Sequence, residues 1–190
     1  MLFRSILDAG CGEGSFLSAI VHQQSDFLGI GIDIAKEGIM QTEPTKQSIF
    51  LVGDLAKLPI QSNSIDVILN ILTPAHYTEF ARVLKEGIVI KVIPNSNYLR
   101  ELRKVCYADS DKQSYSNHQT VQHFYNNFQC VEEKDCYYQF SVTQETLDHI
   151  LHMTPLTWNL SQKSDVLALR NIESITCDFK ILIGYSIWEN

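Results

Sequence analysis

Between a short apolar run and a helix-like segment stands Asp8-Ala9-Gly10-Cys11-Gly12-Glu13-Gly14. Alternate glycines permit a tight strand-to-helix turn and let a ligand approach the backbone closely. The spacing is G-x-G-x-G, whereas the dinucleotide turn G-x-G-x-x-G sets a pyrophosphate on a helix N-terminus. Glu13 would repel that anion, which disfavours a nicotinamide dehydrogenase. A zwitterionic amino-acid tail bearing a sulfonium tolerates carboxylates, and Asp8 is placed to receive its ammonium, directly or through water. Asp33, followed by Ile34, ends the next apolar run. A carboxylate there accepts bonds from both ribose hydroxyls; its other reading is a cap for the helix that begins at Ala35. Asp54 in Gly53-Asp54-Leu55 follows the third run. It either takes the adenine amino group, with Leu55 packed on the ring, or serves as a turn residue.

These three carboxylates need strand ends to carry them. Ser5–Asp8, Phe27–Asp33, Ile49–Val52, Ile65–Ile71 and Ile88–Ile93 read as strands, and Ser15–Gln23 and Ala35–Gln41 as intervening helices. On the first helix Phe16, Leu17, Ile20 and Val21 share one side. Tyr77, Phe80, Ala81 and Leu84 fall at i, i+3, i+4 and i+7, another helix face. Alternation of this kind implies right-handed crossovers and a parallel, doubly wound sheet, whose ligands bind at the strands' carboxyl ends. Beyond residue 94 the pattern changes. Helices are expected over Tyr98–Tyr107, around Val121–Phe128, from a Thr143 cap through Met153, and over Ser161–Arg170. Strands are expected over Gln129–Val142 and Ile175–Ile187, and Ala108–Asn117 as a loop or lid. The expectation is one domain over 1–190, with a cap or recognition region over about 98–160.

Composition narrows the function. The chain has 190 residues, 45% hydrophobic and 19% charged, as in a globular protein with its own core. A formal net charge of −7 argues against a domain that grips a phosphate backbone unaided. No apolar run is long enough for a bilayer, and Met1–Ser5 run directly into a strand instead of forming a secretory leader. Five scattered cysteines without C-x-x-C pairing suit reduced thiols in a cytoplasm. His118 with His123, and His149 with His152, lack acidic or cysteine partners at ligand spacing, so no metal is expected.

The runs DAGCGEG, GIDIAKEGI and VGDLAKLPIQSNSIDVILN resemble the successive motifs of class I methyltransferases. That resemblance implies S-adenosylmethionine as cofactor, S-adenosylhomocysteine as product, and a Rossmann-like α/β fold. Its sheet would have seven mostly parallel strands in the order 3-2-1-4-5-7-6, with an antiparallel last strand and a helical cap. Cofactor contacts would come from Asp8, Gly10, Cys11, Gly12, Gly14, Asp33, Ile34, Asp54, Leu55 and Asn70. A narrower likeness rests on Asn70–Pro74, Glu79–Lys85, Pro94–Leu102 and His152–Trp158. In that order they resemble the large-subunit ribosomal RNA guanine-N1 methyltransferases, which include macrolide-resistance enzymes. Members of that family begin with a cysteine-rich zinc module. Its absence here is read as a fragment or a short form, with apolar surface exposed beside the first helix and a homodimer as one outcome. Lys85-Glu86-Gly87-Ile88 also stands where many methyltransferases carry Pro-Gly-Gly.

On the acceptor side, Thr73, Pro74, Tyr77, Asn95 and Tyr98 are expected to line the pocket for an unstacked base of ribosomal RNA. Asn70 is the candidate for positioning beside the methyl group, or a strand-end hydrogen bonder. Tyr98 either stacks on a base or faces the core. Arg100 and Arg103, with Lys104, reach phosphates or form a solvated face. No general base stands out; His76 reads as a surface residue. Met153 and Trp158 read as cap packing. Two other readings remain: a small-molecule methyltransferase, and a cofactor-binding module inactive without an N-terminal part.

Overall fold

The computed structural model describes residues 4–23, 26–107, 115–157 and 168–186. Its elements are β1 (Arg4–Ala9), α1 (Ser15–Gln23), β2 (Phe27–Asp33), α2 (Lys36–Ile39), β3 (Ser48–Val52), β4 (Ile65–Ile71) and α3 (Tyr77–Val83). There follow β5 (Leu84–Pro94), α4 (Arg100–Cys106), α5 (His118–Tyr125), β6 (Phe128–Ser141), α6 (Gln144–Met153) and β7 (Ser174–Ser186). The strands form one seven-stranded sheet ordered β3-β2-β1-β4-β5-β7-β6, the order expected from the sequence. β1 pairs in parallel with β2 and β4, β2 with β3, and β4 with β5. Asn95 N donates to Asp178 O and Leu99 N to Thr176 O, so the partner on β7 recedes as the chain leaves β5. Val142 N to Glu173 O and the Lys180–Asp135 ion pair recede likewise against β6. β7 therefore runs antiparallel to both neighbours.

The alternation of side chains along each strand divides the core. Ile6 and Leu69 pack with Leu17 and Val21 of α1 on one face. Leu7, Ala9, Ile32 and Ile68 pack with Tyr77, Phe80 and Val83 of α3 on the other, joined by Phe124, Phe128 and Leu182. With Ile6 to Ala9 all buried, β1 is the covered central strand that its unbroken apolar run implies.

The chain divides into two compact units. One comprises the described parts of 1–93, 120–134 and 181–190; the other comprises those of 94–119 and 135–180. The second has its own core of Leu99, Leu102, Leu147, Leu169 and Ile175. Within it, Thr143 caps α6 by accepting from Thr146 N at 3.1 Å. Its buried Asp178 accepts from the amides of Asn95 and Asn97.

Several elements differ from the sequence reading. α3 stops at Val83 because Leu84 already opens β5, which runs eleven residues through the Lys85–Ile88 segment. No proline interrupts the ladder there. Gly87 lets β5 approach β4 closely: a Cβ on it would stand 2.1 Å from Asp66 O, beside a register shift at Ile65/Val67. α2 is a single turn, and α4 begins at Arg100, after Leu99 in the left-handed region at φ 52°. Phe128 belongs to β6 instead of α5. Phe16, expected on the buried side of α1, is 58% exposed. Of the helix read over Ser161–Arg170, residues 161–167 lie outside the described residues, as does Trp158; residues 168–170 are helical.

Candidate functional site

The turn after β1 is shaped by three glycines in the left-handed region, with φ of 84° at Gly10, 55° at Gly12 and 79° at Gly14. Gly10 N and Cys11 N both donate to Ile32 O, tying the turn to β2, and Ser18 N to Gly14 O starts α1. The glycines have different neighbours. A Cβ on Gly10 would stand 2.5 Å from Thr73 Oγ1, and one on Gly14 would stand 2.4 Å from Phe50 Cε1. A Cβ on Gly12 would meet nothing within 4 Å among the described residues, although the Gly12 backbone itself lies against Gly38. Cys11 is buried, its Sγ near Gly31, and burial with Asp8 and Asp33 pushes its thiol up to about 12. It fills space and is no nucleophile at neutral pH.

Asp33 holds the turn from the tip of β2. Its Oδ2 accepts from Gly12 N at 2.8 Å and its Oδ1 from Ala35 N at 2.8 Å. Both oxygens are thus engaged by backbone donors, and each retains a lone pair for a further hydroxyl. Asp54 accepts from Ala56 N through Oδ1 at 2.9 Å, a turn that presents the carboxylate at the end of β3. The loop after it is braced from α3. Glu79 accepts from Leu58 N and Arg82, while Arg82 donates to the carbonyls of Leu58 and Ile60. The Arg82 guanidinium holds the Glu79 carboxyl down to about 2.

Two hollows meet at Gly10. The larger, about 310 Å³, is bordered by Gly10, Asp33, Ile34, Asp54, Leu55 and the Thr73–His76 segment. Ile34, 74% exposed, and Leu55 provide apolar surface beside the two carboxylates, a setting for a ribose and a flat base. The smaller, about 170 Å³, is bordered by Asp8, the Gly10–Glu13 turn, Ser15, Phe16 and Ile71. Asp8 is 1% exposed, and its Oδ2 has no hydrogen-bond partner among the described residues. Burial, and then the charge of Asp33, raise its carboxyl to about 7. A buried, unpartnered carboxylate oxygen beside a small hollow is relieved by a cation. The residues present therefore fit a nucleoside with a cationic amino-acid tail: the tail at Asp8, the sugar at Asp33, the base between Ile34 and Leu55.

Asn70 is fully buried: Nδ2 donates to Ala9 O at 3.1 Å and Pro74 O at 3.3 Å, and Oδ1 accepts from Lys91 Nζ. It borders neither hollow, and its amide joins the end of β1 to the segment after β4. Lys91, 3% exposed, escaped the sequence reading, although it is the lone charge within Ile88-Val89-Ile90-Lys91-Val92-Ile93.

The acceptor-side candidates divide between the units. Thr73 and Pro74 border the larger hollow in the first. Tyr77 does not: it is 5% exposed in the core, edge-on to His123 and Phe128, because the apolar face of α3 turns inward. His76 borders the hollow, and its Nδ1 accepts from Glu79 N at the start of α3. In the second unit, Asn95 is bound to Asp178, Asp135 and Asn117, and Tyr98 packs against Phe179. Arg100 pairs with Glu101, while Arg103 donates to Tyr98 O and lies 4.8 Å from the Tyr115 ring.

A family model described as "Methyltransferase domain" matches residues 7–88. The chain is 39% identical, over 95% of its length, to YxjB of Bacillus subtilis, provisionally named a 23S rRNA (guanine-N(1)-)-methyltransferase. It is 24% identical, over 88% of its length, to the 23S rRNA (guanine(748)-N(1))-methyltransferase of Streptomyces fradiae. It spans 66% of the first relative and 60% of the second. Among solved structures, a methyltransferase from Thiobacillus denitrificans in complex with S-adenosylhomocysteine shares the fold. It superposes with a TM-score of 0.59 at 16% identity, covering 97% of this chain and 85% of that one. With its glycine turn, its acidic strand tips and these likenesses, the chain belongs to the class I S-adenosylmethionine-dependent methyltransferases.

Proposed function

We propose that the chain methylates N1 of a guanine in 23S ribosomal RNA. The observation carrying this is the extent of the likeness. The general methyltransferase match ends at residue 88, whereas the likeness to YxjB covers 95% of the chain. It therefore includes the region beyond β5 that a cofactor site alone does not require.

S-adenosylmethionine, when bound, supplies a methyl group already activated on a sulfonium. The chain's part is alignment and exclusion of water. Asp8 takes the ammonium, Asp33 the ribose hydroxyls, Asp54 the adenine amino group, and Ile34 and Leu55 hold the ring. Thr73 and Pro74, which border the same hollow, are the residues beside which the acceptor enters. Transfer would replace the guanine N1–H bond with an N1–methyl bond: the N–H pair would form the new bond, the proton would pass to water, and the donor would leave as a neutral thioether. An unpaired or flipped guanine is required, because N1 is masked in a duplex.

The test is tritium transfer from labelled S-adenosylmethionine to unmodified 23S RNA, followed by identification of the modified base. Label on guanine N1 is expected. Label on another base or ring position overturns the acceptor assignment. The net charge of −7 favours a second reading, a small-molecule acceptor. That reading gains if a metabolite extract accepts the label while ribosomal RNA does not.

A further inference from the structure

Lys91 is buried in mid-strand among apolar neighbours, on the same face of β5 as Val89 and Ile93. Continuing the Ile/Val pattern there would cost nothing, whereas a buried amine carries a desolvation penalty. Among the described residues no carboxylate bonds its Nζ. It donates to two neutral oxygens, Asn70 Oδ1 at 2.5 Å and Thr73 O at 3.1 Å. Burial lowers its pKa to about 8, so the amine stays mostly protonated at neutral pH and donates two of its N–H bonds to these two acceptors. Asn70 is its register partner across the β4–β5 pairing and passes the connection on, through Nδ2, to Ala9 O and Pro74 O.

These bonds fasten two segments that border the cofactor hollows. Ala9 precedes Gly10, the residue common to both, and Thr73 and Pro74 border the larger one. The Thr73 side chain lies directly over Gly10. The turn between Asn70 and Thr73 is strained, since Leu72 has a φ of 55° in a region that β- and γ-branched side chains rarely adopt. Leu72 N is held by Val92 O of β5 at 3.0 Å, and the Lys91 and Asn70 bonds extend that hold from the sheet to the next two carbonyls, Thr73 O and Pro74 O.

We propose that Lys91 is a positioning residue: with Asn70 it forms a buried brace that fixes the Thr73–Pro74 wall against the end of β1 and so sets the width of the cofactor slot. This rests on assigning the hollows to the cofactor and is independent of the acceptor. A space-filling role alone would make any apolar replacement equivalent. The brace requires a donor at this position.

The test compares wild type, Lys91→Met and Lys91→Gln by calorimetric binding of S-adenosylhomocysteine, with thermal melts on the same samples. K91M removes the donors but fills the space. It is expected to melt no lower than wild type, because a buried amine is gone, yet to bind about tenfold or more weakly. K91Q restores a neutral donor and is expected to bind at least fivefold tighter than K91M. If K91M binds within threefold of wild type, or if K91Q and K91M bind equally, the brace is refuted. Should K91M fail to fold, K91Q and Asn70→Ala are read together. The brace then requires N70A to bind at least fivefold more weakly than K91Q, and equal affinities refute it. Absence of binding by the wild type would overturn the cofactor assignment instead, so the two failures are distinct.

Discussion

Asp8 carries the most consequential chemistry of any single residue. Its carboxyl, held near 7 in the folded chain, ordinarily titrates at 3.8. Between those values the folded state keeps a proton that the unfolded state has released. Stability therefore falls as pH rises from about 4 through 7, by a limit on the order of 4 kcal/mol. Asp8→Asn removes this penalty. It should raise the melting temperature at pH 8, leave it little changed near pH 4, and weaken S-adenosylmethionine binding at least tenfold. A cation entering beside Asp8 also displaces the proton, so affinity should climb as pH rises through 7. Calorimetry in two buffers of different ionisation enthalpy would show net proton release on binding at pH 6.5; no release would place the ammonium elsewhere. Asp8, Asp33 and Asp54 were legible as strand-tip carboxylates because apolar runs end just before them. The burial of Tyr77 and the pairing of Asn70 with Lys91 were not legible. A helix face says which residues lie together but not which way they turn, and a cross-strand pair depends on register, which local pattern does not specify.

At the level of elements, the glycine turn separates binding from folding. Gly12 has open space where a side chain would go, so Gly12→Ala costs only the left-handed backbone penalty of about 1 kcal/mol. The added methyl group nevertheless stands on a residue that borders the smaller hollow. Gly14→Ala incurs the same penalty and drives a methyl into Phe50, so the junction of turn, α1 and β3 must shift. G12A is expected to keep its melting temperature within a few degrees while losing cofactor affinity, and G14A to lose several degrees first. Denaturation curves alongside S-adenosylhomocysteine titrations would show this ordering, and a reversed order would mean that Gly12 is not the open edge. Periodicity located β2, β4, α1 and the Thr143 cap of α6 well, because each has a clear stop or start residue. The α3–β5 boundary failed that reading. Leu84 continues the helical spacing, yet it begins a strand whose ladder is settled by neighbours on β4.

Across the whole molecule, strand order followed from family likeness together with βαβ alternation, whereas the division into units did not. The sequence suggested one domain with a cap or recognition region within about 98–160. The second compact unit comprises the described parts of 94–119 and 135–180, and α5 with the first half of β6 goes with the first unit. Phe124 and Phe128 account for this: both are fully buried in the first unit's core, a long-range attachment that linear composition does not reveal. The position of β6 has a colloidal consequence. It closes the sheet order on one side and runs fourteen residues, with Tyr137, Tyr138 and Phe140 exposed along it. An outer strand of that length and composition invites other copies to add on laterally. Immediately before the aromatics stand Glu132, Glu133, Lys134 and Asp135, all exposed, which act as gatekeepers against such stacking. Replacing Glu132 and Lys134 with threonine should leave the melting temperature nearly unchanged and raise light scattering at high concentration. Clear solutions of that variant would mean that the flank is guarded by something other than its charges.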